Sequence, residues 1–251
     1  MARWIWAAAS CRGTSHIRSS TRRQDAYSCT IHSAEQNAFI AVVADGAGSA
    51  SMGGQGASLA CRTVIVRARD FLNSMKALPP QTVVWSWINE VRGRIEEAAV
   101  VRNLSPRDFA ATVIIVLSFG SETLVAHIGD GSAVVQNSTT GNWEAISWPE
   151  QGEYASTTFF VTDATPLLRI TRHSEPISAL VLFTDGLERL ALDMGTNQAH
   201  SPFFHGITRP LFESTATGHD INLSRMLKAY LESDAINERT DDDKTLVLAV
   251  C

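Results

Sequence analysis

The stretch Ala38-Phe-Ile-Ala-Val-Val-Ala-Asp45-Gly46 places seven apolar residues directly before an Asp-Gly pair. Apolar runs of this length that end at turn residues are typical of buried strands. A second run, Ser178-Ala-Leu-Val-Leu-Phe-Thr184, also ends at an Asp-Gly pair, Asp185-Gly186. The sequence therefore predicts two buried strands, each of which presents a carboxylate at its carboxyl end.

The elements around these two runs come in blocks. Helical spacing of apolar residues predicts two long helices, about 54–75 and 81–103, and short helices near 187–192, 201–213 and 221–232. Strand patterns lie near residues 3–9, 26–33, 38–44, 110–118, 122–128, 132–137, 143–147, 157–161, 167–172, 178–184 and 245–250. We interpret residues 110–147 as one antiparallel meander. Strands that outnumber helices, with the helices grouped, indicate an α+β fold whose two sheets pack together and are faced by helices.

Composition sets the class of protein. The chain has 251 residues, of which 45% are hydrophobic and 19% charged, and its net charge is -5. These values exclude a disordered or fibrous chain, and the acidic balance disfavours a nucleic-acid partner. No internal repeat and no Pro-, Gly- and Ser-rich linker interrupts the sequence, so residues 1–251 are expected to form a single domain.

Cysteine usage and hydropathy bear on location. Cys11, Cys29, Cys61 and Cys251 form no C-x-x-C pair, which favours reduced thiols in the cytoplasm over a disulfide framework or a zinc site. The apolar run near the start is about as short as the shortest signal-peptide cores. No run approaches the roughly 18 apolar residues of a membrane-spanning helix, so no membrane association is expected.

Four acidic residues lie at predicted strand ends: Asp25 and Asp242 just before strands, and Asp45 and Asp185 just after them. Carboxylates that converge at one cleft repel each other, and divalent cations relieve that repulsion. Oxygen ligands alone suit Mg²⁺ or Mn²⁺ rather than zinc. Asp-Gly is also a common turn dipeptide, so either pair alone is compatible with a simple turn.

Five short motifs occur in an order that resembles a known protein family. A sixth motif near the start, Gly13-Thr14-Ser15-His16, adds to the resemblance. The motifs are Gln24-Asp25-Ala26, Val43-Ala44-Asp45-Gly46-x-Gly48, His127-Ile128-Gly129-Asp130-Gly131-Ser132, Leu182-Phe183-Thr184-Asp185-Gly186-Leu187 and Asp242-Asp243-Lys244-Thr245-Leu246. Together they span almost the whole chain. The sequence resembles the metal-dependent protein phosphatase family, the type 2C Ser/Thr phosphatases, in a divergent bacterial form.

The resemblance implies a four-layer α/β/β/α sandwich of two antiparallel sheets flanked by paired helices. It implies a protein Ser/Thr phosphatase that hydrolyses phosphoserine and phosphothreonine with a water or hydroxide bridging two ions, Mn²⁺ or Mg²⁺. Asp45 would bridge both ions, and Asp185 would act with it through the bound water. At one ion the implied ligands are Asp25, Asp45 and the Gly46 carbonyl. At the other ion they are Asp45, Asp185 and Asp242.

The chain departs from the family pattern at the phosphate-binding position. The family commonly carries Arg five residues before its first motif Asp, where this chain has Ser20. Arg18, Arg22 and Arg23 lie nearby and are candidates for that role, because a guanidinium donates paired hydrogen bonds to phosphate. The alternative is that all three are solvated surface arginines.

Other positions near the motifs also depart from the pattern. Ala47 stands where some members carry a His that serves as a candidate general acid, so the proton donor is open between bound water and His16, which could equally be structural. Gly131 interrupts the Gly-Asp-Ser turn in which Asp130 would help to hold a third ion. Residues 147–166 correspond to a variable flap that is expected to shape substrate choice.

Two further interpretations remain open at this stage. The changes at Ser20 and Ala47 fit a pseudophosphatase, which would bind phosphoproteins or a kinase with little turnover. Hydrolysis of small phosphoesters would use the same site. The resemblance favours phosphorylated proteins as substrates, with a Ser/Thr kinase as the opposing enzyme.

Overall fold

The computed structural model describes residues 4–33, 37–149 and 158–251. Its strands, in chain order, are β1 (Ile5–Cys11), β2 (Ala26–Ser33), β3 (Asn37–Ala44), β4 (Val113–Phe119), β5 (Glu122–Ile128), β6 (Ser132–Asn137), β7 (Trp143–Ser147), β8 (Arg169–His173), β9 (Ile177–Phe183), β10 (Leu192–Asp193), β11 (Gln198–Ala199), β12 (Gly218–His219) and β13 (Lys244–Val250). Its helices are α1 (Thr14–Arg18), α2 (Gly53–Met75), α3 (Gln81–Arg102), α4 (Glu188–Ala191), α5 (Ser201–Phe212), α6 (Ile221–Leu231) and α7 (Asp234–Asn237), with 3₁₀ turns at Pro106–Phe109 and Asp185–Leu187.

Two sheets form the centre of the fold. One has five strands in the order β2-β3-β4-β5-β8, and the other has six in the order β12-β1-β13-β9-β6-β7. All neighbouring strands are antiparallel except the short parallel pair of β12 with β1. Strands β10 and β11 pair separately.

The apolar run of β3 is buried on both faces. Phe39, Ala41 and Val43 pack against the other sheet, in a cluster with Leu180, Leu182 and Val247. Ile40 and Val42 point the other way, into a cluster with residues of α2 and α3. Because side chains alternate along a strand, a strand covered on both faces has a continuous apolar sequence rather than an alternating one.

The outer layers are helical. Helices α2 and α3 cover the five-stranded sheet, and α5 and α6 cover the six-stranded one. This arrangement confirms the prediction of an α+β fold with two antiparallel sheets between helices. Helix α2 lies against the 3₁₀ turn so closely that a Cβ on Gly56 would sit 1.9 Å from the Phe109 carbonyl oxygen, which explains the glycine in its first turns.

Two predictions about strands were wrong. Residues 158–161 contain no strand, and residue 157 of the predicted 157–161 strand lies outside the described residues. Val161 instead makes a single backbone hydrogen bond from its N–H to the Ala111 carbonyl, 2.9 Å. The predicted meander is also divided, because β4 and β5 belong to the five-stranded sheet and β6 and β7 to the six-stranded one.

The cysteines and the apolar content of the helices can be read directly from the structure. Cys11, Cys29, Cys61 and Cys251 are all free thiols. In the described part of the chain, no helix carries an apolar stretch long enough to cross a bilayer.

Candidate functional site

The ends of strands from both sheets meet at one cleft of about 310 Å³. Asp45 and Gly46 reach it from the end of β3, Asp185 from the end of β9, and Asp242 from the segment before β13. Asp130 reaches it from the connection between β5 and β6, where the chain passes from one sheet to the other. The cleft therefore gathers acidic residues that are far apart in sequence.

Asp25 lies beneath this cleft and is 3% exposed. Its Oδ2 accepts hydrogen bonds from the hydroxyls of Thr184, 2.8 Å, and Thr245, 2.6 Å. Its Oδ1 is buried and has no hydrogen-bond partner. A buried carboxylate oxygen without a partner is costly, and a cation is the kind of group that removes the cost.

Burial and mutual repulsion dominate the electrostatics of the cleft. Burial raises the pKa of Asp25 to about 6. Burial, followed by the charges of Asp25 and Asp185, raises the pKa of Asp45 well above its usual range. The pKa of Asp185 is raised well above its usual range by burial and then by Asp130 and Asp242. Because burial opposes ionisation of Asp45 and Asp185, a neighbouring positive charge would favour their ionised forms.

The donor set suits a hard divalent cation. Asp25, Asp45, Asp185 and Asp242 offer carboxylate oxygens and Gly46 offers a backbone carbonyl, which Mg²⁺ and Mn²⁺ prefer to nitrogen or sulfur. Within the described residues, three His, Cys, Asp or Glu ligand atoms lie within 4.8 Å of one another only at Glu144, His173 and Glu175, outside the cleft lining.

The three candidate arginines do not line the cleft. Arg18 forms an exposed ion pair with Asp241, 2.9 Å. Arg23 donates to the carbonyls of Asp25, 3.2 Å, and Ser10, 2.8 Å. Arg22 lines a neighbouring groove. Their assignment to phosphate stays a prediction, and the geometry places none of them among the cleft-lining side chains.

His16 is the basic side chain among the described residues that line the cleft. Its Nδ1 lies 2.9 Å from Oδ1 of Asp243. The two atoms are in close contact, but Nδ1 makes no hydrogen bond of acceptable geometry. The side chain is 16% exposed, and Asp243 beneath it is 2% exposed.

Asp243 is a site residue that sequence reasoning missed. Its Oδ1 also accepts from the Gly13 N–H, 2.6 Å, and its Oδ2 from the Gln24 N–H, 2.5 Å. Gly13 approaches the same segment so closely that a Cβ there would lie 2.3 Å from the Asp242 carbonyl carbon. The motif that begins at Gly13 therefore docks α1 onto the segment before β13, and the pairing of the two motifs was the signal available in the sequence.

One end of the expected flap, residues 147–166, reaches the cleft. Thr158 and Phe160 line it, and the Thr158 hydroxyl donates to Asp130. Residues 150–157 lie outside the described residues. The influence of this segment on substrate choice stays a prediction.

Comparison with known proteins agrees with this geometry. The family model described as Protein phosphatase 2C matches residues 12–232. Serine/threonine-protein phosphatase 3 of Escherichia coli (strain K12) is 37% identical over 253 residues, covering 98% of each chain. The chain belongs to the protein phosphatase 2C family. It is accordingly a phosphatase, and metal dependence is the rule in this family.

Solved structures of protein phosphatase 2C relatives share the fold. The serine/threonine phosphatase Stp1 from Staphylococcus aureus superposes with a TM-score of 0.64 at 18% identity, over 98% of this chain and 94% of that chain. PppA, described as a key regulatory component of T6SS in Pseudomonas aeruginosa, gives a TM-score of 0.66 at 19% identity, over 99% and 97%. At these identities the likeness supports the fold alone.

Proposed function

We propose that this protein phosphatase 2C member hydrolyses phosphoserine and phosphothreonine on proteins with two bound ions, Mn²⁺ or Mg²⁺. The observation that carries the proposal is the convergence of Asp45, Asp185 and Asp242 at one cleft, above the buried Asp25. Its 37% identity to a relative named as a serine/threonine-protein phosphatase supports the substrate class.

The carboxylates divide naturally between two ions. Asp45 would bridge them, with Gly46 and Asp25 serving one ion and Asp185 and Asp242 the other. Two ions would share the negative charge of these four carboxylates. Asp130 would contribute to a third ion. When bound, such ions lower the pKa of water and neutralise charge on a phosphoryl group.

His16 supplies the acid in this proposal. The contact of 2.9 Å between Nδ1 and Oδ1 of Asp243 fixes the ring at the edge of the cleft. The other ring nitrogen, Nε2, would donate a proton to the leaving serine or threonine oxygen. Asp243 is the positioning residue, because its two backbone hydrogen bonds hold it in place.

The pseudophosphatase interpretation is not favoured. It was motivated by Ser20 and Ala47, but every acidic residue of the motif set reaches the cleft or lies directly beneath it. A fold that only binds phosphoproteins has no need to gather four repelling carboxylates at one cleft, since their repulsion costs free energy. Retention of the set supports turnover.

The setting of the enzyme follows from its substrate. We infer that it reverses the action of a Ser/Thr kinase, and that it works in the cytoplasm, where thiols such as Cys11 and Cys61 stay reduced. We also propose that residues 1–251 form a single domain. It is supported by the family match, which extends across both sheets.

Hydrolysis measured with and without metal tests the proposal. Metal-stripped protein should be inactive on p-nitrophenyl phosphate and on a phosphothreonine peptide, and added Mn²⁺ or Mg²⁺ should restore both activities. Activity that persists in chelator would contradict the metal mechanism. If calorimetry shows Mn²⁺ binding but neither substrate is hydrolysed, the pseudophosphatase takes the place of the proposed enzyme.

A further inference from the structure

A groove of about 860 Å³ runs beside the acidic cleft. We call it the basic groove and define it by Arg22, Arg23, Arg62 and Arg102, which line it together with the first turns of α2 and the end of α3. No Asp or Glu is among its described lining residues. Gln24 lines both the basic groove and the cleft, so the two are contiguous.

Gln24 is a fixed part of the wall between the two. It is 7% exposed, and its side-chain Nε2 donates to the Ala50 carbonyl, 3.3 Å. Its backbone N–H is one of the two that hold Asp243 beneath His16. A polypeptide that presents a phosphorylated side chain to the cleft would therefore reach the basic groove by crossing over Gln24.

The positive charge of this groove is not neutralised. Among the residues that the structure describes, no carboxylate forms an ion pair with any of its four arginines. Arginines elsewhere on the described surface do have acidic partners: Arg18, Arg67, Arg94, Arg172 and Arg209. In the described part of the chain, the basic groove thus gathers four arginines without an acidic partner, in a protein whose net charge is -5.

Neutral contacts hold several of these arginines in place. Arg62 donates from Nε to the Ser58 carbonyl, 3.3 Å. Arg102 donates to the Ala98 carbonyl, 3.1 Å, and its Cζ lies 5.9 Å from the ring centroid of Phe109. Each contact uses one of the five N–H donors of a guanidinium, so most donors remain for a ligand. The arrangement positions charge without cancelling it.

We propose that the basic groove binds acidic residues of the phosphoprotein substrate that flank the phosphorylated residue. This inference rests on the proposed function, which places that substrate in the adjoining cleft. Aspartate, glutamate or a second phosphorylated residue would pair with the guanidinium groups. Arginine forms paired hydrogen bonds with both carboxylate and phosphate.

The lining favours a peptide over a nucleic acid. Single-stranded nucleic acids bind through bases stacked on aromatic rings, and no Phe, Tyr or Trp is among the described residues of the groove lining. The chain as a whole is acidic, which opposes a long polyanion that extends beyond the groove. A short acidic segment next to a phosphorylated side chain meets neither difficulty.

The test compares phosphothreonine peptides whose flanking residues are acidic on the amino side, acidic on the carboxyl side, or neutral. In Mn²⁺ and low salt, wild-type protein should hydrolyse an acidic peptide about 10-fold more efficiently than the neutral one, mainly through a lower KM. The preference should shrink as salt is added, because exposed charges are screened. The double variant Arg62→Glu, Arg102→Glu should lose the preference but keep its activity on p-nitrophenyl phosphate, because neither residue is among the candidates for binding the phosphate.

The matched control reverses two exposed arginines on the opposite outer layer, Arg209→Glu and Arg225→Glu, which should keep the preference. If the charge-reversed groove variant folds poorly, Arg62→Gln with Arg102→Gln serves instead. Equal hydrolysis of acidic and neutral peptides by wild type would overturn the inference. So would competition by single-stranded RNA but not by an unphosphorylated acidic peptide. Wild type that hydrolyses no phosphoester at all would refute the proposed function instead.

Discussion

Asp45→Asn is expected to abolish metal-dependent hydrolysis while making the metal-free protein more stable. Asp45 is the proposed bridge between the ions. Replacing a residue that only supports a metal ligand can lower activity by about 100-fold, so replacing Asp45 itself should lower activity in Mn²⁺ by more than that. Thermal unfolding should show that Mn²⁺ raises the Tm of wild type but not that of the variant, since only a bound ligand stabilises the fold.

The stability effect of Asp45→Asn has a defined sign. Burial and neighbouring carboxylates raise the pKa of Asp45 in the folded state well above its usual range, so folding favours the protonated form. A raised carboxyl pKa contributes stability that is present at acid pH and lost as the pH rises through the folded pKa. In chelator, the variant should therefore exceed wild type in Tm at neutral pH, and the difference should vanish near pH ~4.

Asp241→Asn is the matched control for this experiment. Asp241 is exposed and pairs with Arg18, but it lies next to Asp242 in the same acidic run. Its variant should keep its metal response and its activity. A control as inactive as Asp45→Asn, or an Asp45→Asn variant that retains Mn²⁺-dependent turnover, would contradict the proposed ligand assignment.

His16→Gln is expected to separate substrates by their leaving groups. A serine or threonine alkoxide needs a proton as it departs, whereas p-nitrophenolate leaves without one. General acids contribute roughly 10²- to 10⁴-fold, so kcat on a phosphothreonine peptide should fall by about 100-fold or more. On p-nitrophenyl phosphate the loss should be small, and initial rates in saturating Mn²⁺ measure both.

His205→Gln is the control for His16→Gln, because His205 is exposed on α5 and lies outside the cleft lining. Asp243→Asn should reproduce part of the same split, since Asp243 is the side chain that positions His16. An equal loss on both substrates would show that His16 binds phosphate or supports the fold rather than donating a proton.

The parts of the fold that follow from local sequence could be predicted. The apolar run of β3 and the Asp-Gly pair after it lie next to each other in the chain, so the buried strand and the position of Asp45 at its end were both evident. The same holds for β9 and Asp185. Burial on both faces made these runs continuous, which marks them as interior strands.

The division of strands between sheets could not be predicted in this way. The two hairpins β4–β5 and β6–β7 look alike locally, and only the turn between them sends the second to the other sheet. Gly129 has φ +114 there, and a Cβ on Gly131 would lie 2.8 Å from the Phe183 carbonyl oxygen. Those contacts join residues distant in sequence, so the pattern alone suggested one meander.

The candidate site shows the same limit. Carboxylates could be predicted from strand ends, but the surroundings of the basic residues depend on tertiary contacts. Three arginines lie close to the motif in sequence, yet each has different surroundings in the structure. Arg18 pairs with Asp241, Arg22 lines the basic groove, and Arg23 donates to backbone carbonyls. Asp243 is one of three consecutive acidic residues, so its role was not evident from the sequence. In the structure it is buried and contacts His16, whereas its two acidic neighbours are exposed.

The most direct test of the central claim is anomalous X-ray scattering from crystals of wild-type protein soaked in Mn²⁺. The proposed mechanism predicts two manganese peaks in the cleft, both within bonding distance of Asp45, with Asp185 and Asp242 at one of them. Manganese found only at Glu144, His173 and Glu175, or a cleft without a peak in an active crystal, would contradict it.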